Sequence, residues 1–133
     1  MLQVLVDADN VPAARLQVLA AALTPYADAL RLVVAGRSDV VRAATWPVTP
    51  ELAVAEGWQR ADLALAAAYS PIDGPLVLAS GDSDFVQLAT NHPGPVLVVS
   101  EAAAARYRDV ATVVDPVHEP GALQQWLAAV QSD

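Results

Sequence analysis

Short apolar runs alternate with stretches of helical spacing along the whole chain. Leu2 to Val6 is apolar except for Gln3 and ends on Asp7-Ala8-Asp9-Asn10, which favours a turn and then a helix cap. From Pro12 to Leu23 the positions Leu16, Leu19, Ala20 and Leu23 recur with helical period; Pro12 is tolerated in the first turn and Pro25 lies beyond the end. Ala29 to Ala35 reads as a strand closed by Gly36, and Asp39 to Ala44 as a short helix stopped before Trp46-Pro47. Leu52 to Ala55 is a weak strand, followed by a helix over Gln59 to Tyr69 that Ser70-Pro71 ends. Strands are then predicted at Leu76 to Ala79, Val96 to Val99 and Thr112 to Val114. Helices are predicted at Ser83 to Thr90, Ala102 to Tyr107 and Gly121 to Val130. In the last of these Leu123, Trp126, Leu127 and Val130 share one face, which closes the core or, failing that, forms a dimer face.

Strands buried on both faces read as continuous apolar runs, and their alternation with helices predicts a parallel α/β fold. The expected architecture is a single domain over residues 1–133, a three-layer sandwich whose mostly parallel central sheet has about five strands. In such open sheets the ligand site lies beyond the carboxyl ends of the strands, near the point where strand order reverses. The residues that directly follow each strand therefore carry the most information.

Composition narrows the chemistry. The chain of 133 residues is 55% hydrophobic, yet no window approaches the roughly 18 uninterrupted apolar residues of a membrane span, and the N-terminus lacks the pattern of a signal peptide. The expectation is a soluble, cytoplasmic protein that does not engage a membrane. Cysteine is absent, which excludes disulfides, thiolate zinc sites and cysteine nucleophiles. His92 and His118 stand in unrelated contexts, so any metal must be held by oxygen. Acids outnumber bases 15 to 7, and every base is arginine. A lysine Schiff base, a lysine-completed phosphate loop and a polybasic surface are thereby excluded.

The scattered acids Asp28, Asp73, Asp109 and Asp133 read as solubility. Others cluster at strand ends: Asp7, Asp9 and Asn10 after the first strand, and Asp82 and Asp84 within Ser80-Gly81-Asp82-Ser83-Asp84. Gly36, Arg37 and Ser38 follow the second strand. Asp62 opens the helix after the weak strand and faces the same edge. Carboxylates within about 4 to 6 Å of one another resist joint ionisation unless a cation compensates them, and a small set of hard oxygen ligands suits Mg²⁺ or Mn²⁺ and through it a phosphate. Helix capping is the plainer reading of Asp9 or Asp82 taken singly. For Asp62 the plainer reading is an ion pair with Arg60, set against the expectation that its apolar helix is largely buried.

Three segments carry a family resemblance: Val4-Leu5-Val6-Asp7-Ala8-Asp9-Asn10-Val11, Gly57-Trp58-Gln59-Arg60-Ala61-Asp62-Leu63-Ala64-Leu65 and Ser80-Gly81-Asp82-Ser83-Asp84-Phe85. In order they resemble the signature segments of NYN domains, members of the PIN-like nuclease superfamily, over roughly residues 2–115. The resemblance implies a parallel sheet flanked by helices and metal-dependent cleavage of RNA by an endoribonuclease, leaving a 5′-phosphate and a 3′-hydroxyl. By position it implies an acidic metal site of Asp7, Asp62, Asp82 and Asp84, with Asp7 and Asp82 as principal ligands of Mg²⁺ or Mn²⁺ and Asn10 as the accompanying orienting group. Under that reading Ser80 and Ser83 contact phosphate, Arg37 and Arg60 clamp the RNA backbone, and Trp58 stacks on an unpaired base. Many relatives carry a lysine in the second segment, where this chain has Trp58 and Arg60. The partner implied is single-stranded RNA, with targeting supplied by a homodimer or a partner protein. Two other readings stand beside it. In a phosphatase of the haloacid dehalogenase type, Asp7 is the nucleophile and Asp9 the acid/base. In a non-catalytic module, the chain holds RNA or protein without cutting.

Overall fold

The computed structural model describes residues 1–36, 44–54, 61–71, 73–101, 103 and 105–131, with the backbone alone at 53, 54, 61 and 62. Six parallel strands, β1 (Leu2–Asp7), β2 (Leu30–Gly36), β3 (Glu51–Val54), β4 (Leu76–Ala79), β5 (Val96–Val99) and β6 (Thr112–Val114), form one sheet. Their order is β3-β2-β1-β4-β5-β6. Among the described residues the α-helices are α1 (Ala13–Leu23), α2 (Ala61–Ala68), α3 (Val86–Asn91) and α4 (Pro120–Gln131). The fold is the expected α/β sandwich, but the sheet is entirely parallel and has six strands where about five were expected. The difference is the weak Glu51–Val54 run, which pairs in register with β2 from Val33↔Glu51 to Gly36↔Val54 and makes the sheet edge.

Period-two alternation divides the core between the two faces. Leu2, Val4 and Val6 of β1 join Val77 and Ala79 of β4 under Leu16, Leu19 and Leu23 of α1 and Leu123 and Leu127 of α4. Leu5, Leu76 and Leu78 face the other way, toward Leu65 of α2 and toward Phe85, Val86 and Tyr107. The buried positions of α1 are Leu16, Leu19, Ala20 and Leu23, the set its periodicity predicts. In α4, Trp126 packs half-buried against the first cluster, so this helix closes the core.

Several local expectations change. No side chain caps α1: Pro12 occupies its N-cap, and since Asp9 precedes it by three residues, the Asp-x-Asp-Asn segment makes a turn and no cap. The Ser83 helix opens as a 3-10 turn, Ser83–Phe85, before α3 begins. Where a helix was expected over Ala102 to Tyr107, the structure has a 3-10 helix at Ala105–Asp109, and the N–H groups of Val110 and Ala111 both donate to the Tyr107 carbonyl. Among the described side chains of α2 only Leu65 is fully buried and Leu63 is 65% exposed, so this part of the helix is amphipathic and not the largely buried one expected. The predicted helix at 39–44 falls almost wholly outside the described residues. Among the described residues, no helix is long and apolar enough to cross a membrane.

At the amino-terminal edge of the sheet two turns touch. A Cβ at Gly94 would overlap the carbonyl oxygen of Gly74, which also binds Nε2 of His92 at 2.7 Å. Backbone cannot yield as a flexible side chain can, so Gly94→Ala is expected to destabilise the protein by about 1–3 kcal/mol, as read from the urea midpoint at unchanged m-value.

Candidate active site at the carboxyl edge of the sheet

Strand order reverses between β1 and β4. The chain leaves β1 for β2 on one side and returns from β3 to β4 on the other, which opens a crevice beyond their carboxyl ends. Asp7 is the last residue of β1 and Ser80 directly follows β4. By alternation both belong to the α2 face, with Gln3, Leu5, Leu76 and Leu78.

Asp7 is fully buried. Its main-chain carbonyl accepts the N–H of Asn10 at 3.1 Å, and the turn so formed folds the Asn10 amide back onto the carboxylate. Nδ2 donates to Asp7 Oδ2 at 2.7 Å. The Ser80 hydroxyl donates to the same oxygen at 3.2 Å. Among the described residues the other oxygen, Oδ1, is buried without a hydrogen-bond partner, a costly state for a carboxylate. Burial raises the Asp7 carboxyl above its ordinary range; the hydrogen bonds from Asn10 and Ser80 oppose the rise, and the charges of Asp9 and Asp82 add to it.

Asp82 is held by its backbone. Its N–H donates to Ser80 Oγ at 3.2 Å, its Oδ1 accepts the N–H of Asp84 at 3.0 Å, and its carbonyl accepts the hydroxyl of Tyr107. Capping of the Ser83–Phe85 turn is thus one role that Asp82 fills. Asp84 and Ser83 are exposed on that turn, and Asp9 is exposed beside the end of β2. Gly36 there has φ 146°, and a Cβ would sit 3.1 Å from Asp9 Oδ1, so the absence of a side chain lets this carboxylate approach the strand.

Asn10, Gly81, Asp82, Ser100 and Glu101 line an open cavity of about 290 Å³ beside these groups. Glu101, Asp115 and Arg15 were not picked out from the sequence. Glu101 comes two residues after β5 and Asp115 directly after β6, so inspection of every strand end would have found them. Arg15, in the first turn of α1, reaches both, with Nη2 3.3 Å from Glu101 Oε2 and 3.3 Å from Asp115 Oδ2. Against desolvation, the hydrogen bonds to Asp115 from Arg15 and from the backbone of Val117 and His118 hold its carboxyl below the ordinary range. Tyr107, set between Arg106 and Arg108, left no sequence signal of its place beside Asp82.

Of the expected site residues, the structure joins Asp7, Asn10, Ser80 and Asp82 in one hydrogen-bonded group and places Ser83 and Asp84 on the adjoining turn. Ser80 is fully buried and engaged with Asp7 and Asp82, which makes it a positioning residue and not a surface contact for phosphate. The backbone of Asp62 lies in the described first turn of α2. That helix packs against β1, β2, β3 and the Ser83–Phe85 turn, on the sheet face where Asp7 lies; the Asp62 side chain is outside the described residues. Arg37, Trp58 and Arg60 also lie outside them. Among the described residues no three His, Cys, Asp or Glu side chains come close enough together to hold a metal ion; Asp7 and Asp82 are the two acids that Ser80 links by hydrogen bonds. The unpartnered Asp7 oxygen and an all-oxygen donor set fit a hard divalent ion. Comparison of the chain with family models, curated proteins and solved structures finds no match.

Proposed function

We propose that the protein is a metal-dependent ribonuclease that hydrolyses RNA phosphodiester bonds at the edge where Asp7 and Asp82 meet. The observation that carries this reading is the Asp7 carboxylate: buried, oriented by Asn10 and Ser80 through one oxygen, unpartnered at the other, and set at the crossover of strand order. Its environment raises the cost of ionisation, and a divalent cation would compensate that charge. Asp7 and Asp82 are the groups that hold Mg²⁺ or Mn²⁺, with Asp62 and Asp84 as further acids by resemblance to NYN domains. A bound ion supplies positive charge to the phosphodiester and acidifies the attacking water. Asn10 and Ser80 keep the Asp7 carboxylate in one orientation, and Ser83, exposed at the head of its turn, is placed to meet a phosphate oxygen.

The choice of RNA as substrate rests on the resemblance of the three segments. The exposed Arg106 and Arg108, flanking Tyr107 on the turn that abuts Asp82, supply positive charge for a nucleic-acid backbone in a chain without lysine. A cytoplasmic setting, where RNA and magnesium coexist, and a partner or second copy that selects the target belong to the same reading.

End-labelled single-stranded RNA incubated with Mn²⁺ tests it. Wild type is expected to cut internally, leaving 5′-phosphate and 3′-hydroxyl ends; a chelator stops the reaction, and Asp82→Asn slows it on the order of 100-fold or more. Equal cleavage by both proteins removes this site from consideration. RNA binding without cleavage favours a binding module. Phosphate release from small monoesters with an aspartyl phosphate trapped at Asp7 favours a phosphatase of the haloacid dehalogenase type.

A further inference from the structure

Tyr107 is the bulkiest of the fully buried side chains among the described residues. Its ring lies in the apolar cluster of the α2 face, with Leu65, Leu78 and Phe85, where a phenylalanine would pack equally well. The hydroxyl is what packing leaves unexplained. It donates to the main-chain carbonyl of Asp82, and the N–H of Phe85 reaches that oxygen only at 3.4 Å, too long to replace it.

This bond is the first of a continuous series. From Asp82 the N–H continues to Ser80 Oγ at 3.2 Å, the Ser80 hydroxyl to Asp7 Oδ2 at 3.2 Å, and the same oxygen to the Asn10 amide at 2.7 Å. The peptide groups on both sides of the Asp82 Cα are therefore fixed, one by Ser80 and the other by Tyr107. A short side chain such as aspartate has little freedom once its backbone is held, and its Oδ1 is tied to the N–H of Asp84 as well. We infer that Tyr107 is a positioning residue for a divalent cation, setting the Asp82 carboxylate relative to that of Asp7 through the Asp82 main chain. The inference rests on the cation site proposed above.

Tyr69 provides the control. Its hydroxyl bonds Nδ1 of His92 at 2.7 Å at the opposite edge of the sheet, so Tyr69→Phe also removes a partly buried phenol bond but not one that touches the site. Mn²⁺ affinity measured by calorimetry on wild type, Tyr107→Phe and Tyr69→Phe separates the roles. The expected result is affinity weakened on the order of 10-fold or more in Tyr107→Phe, the scale for losing a group that orients a ligand, with Tyr69→Phe equal to wild type. Equal affinity in Tyr107→Phe and wild type overturns this inference alone, as does an equal loss in both variants; no Mn²⁺ binding by wild type overturns the cation site and the inference with it. Should Tyr107→Phe fail to fold, ¹³Cζ-tyrosine NMR of the wild type replaces it. Mg²⁺ is then expected to move the Tyr107 resonance and leave that of Tyr69 in place, and a stationary Tyr107 resonance sinks the proposal.

Discussion

In chelator, the wild-type protein is expected to lose stability as the pH rises from about 4 toward neutrality, and Asp7→Asn to remove most of that loss. The folded-state pKa of Asp7 lies above the ordinary 3.8 because burial disfavours the charge. The folded protein therefore holds this proton more tightly than the unfolded chain, and the stability it contributes is present at low pH and lost as pH rises through the raised pKa. Asp115 acts in the opposite direction and in a separate window. Its pKa is lowered in the fold, so its contribution is complete above the ordinary carboxylate range and is lost only below it. In Asp7→Asn the amide can still accept from Asn10 and Ser80 but carries no charge, so at pH 7 the metal-free variant should be more stable than wild type. Mn²⁺ then reverses the ranking. At a free concentration 100-fold above Kd a ligand adds about 2.7 kcal/mol, which in a domain of this size raises Tm on the order of 10 °C. Wild type should show that rise, and Asp7→Asn less than a third of it. Differential scanning fluorimetry across pH, with and without metal, measures both effects, and equal metal shifts in the two proteins would remove Asp7 from the site.

Periodicity carried most of the fold because burial follows from it directly. Leu16, Leu19, Ala20 and Leu23 are the positions α1 buries, and the Leu76–Ala79 and Val96–Val99 runs are strands with those bounds. Asn10 was expected as the orienting group only through the family resemblance; the four-residue turn from Asp7 to Asn10 is what brings its amide back to the carboxylate. What escaped was decided by contacts distant in sequence. Arg15 meets Asp115 across 100 positions, and Tyr107 meets Asp82 across 25. Neither pair has a local pattern; each exists because parallel strands end at one edge. The same geometry explains Ser80. Beside two acids in sequence it resembles a phosphate contact, but alternation along β4 turns its hydroxyl inward to Asp7. For α2, apolar composition overstated burial because Leu63, Ala66 and Ala67 are exposed, so the case for Asp62 rests on its place at the sheet edge and no longer on the burial of its helix.

Phe85→Ala is expected to have the largest effect on stability of any change near the site. Phe85 is 1% exposed and closes the turn that follows Asp82, packed in the cluster with Leu5, Leu65, Leu78 and Tyr107. Truncation of such a ring costs about 3–5 kcal/mol, a large share of the roughly 5–15 kcal/mol that holds a domain together. The loss should extend to function, because Ser83–Phe85 is one short turn. Its first N–H donors close on Asp82, through Asp84 N to Oδ1 and Phe85 N to the carbonyl, and the anchored ring holds the far end. Phe85→Leu keeps an apolar anchor of lesser volume, should cost no more than about 1.5 kcal/mol, and should retain Mn²⁺ affinity that Phe85→Ala loses. Urea unfolding gives the stability difference, and calorimetry at a temperature where both variants are folded gives the affinities. If Phe85→Ala binds Mn²⁺ as tightly as Phe85→Leu, the ring serves the core alone and the Asp82 turn is held by its hydrogen bonds without it.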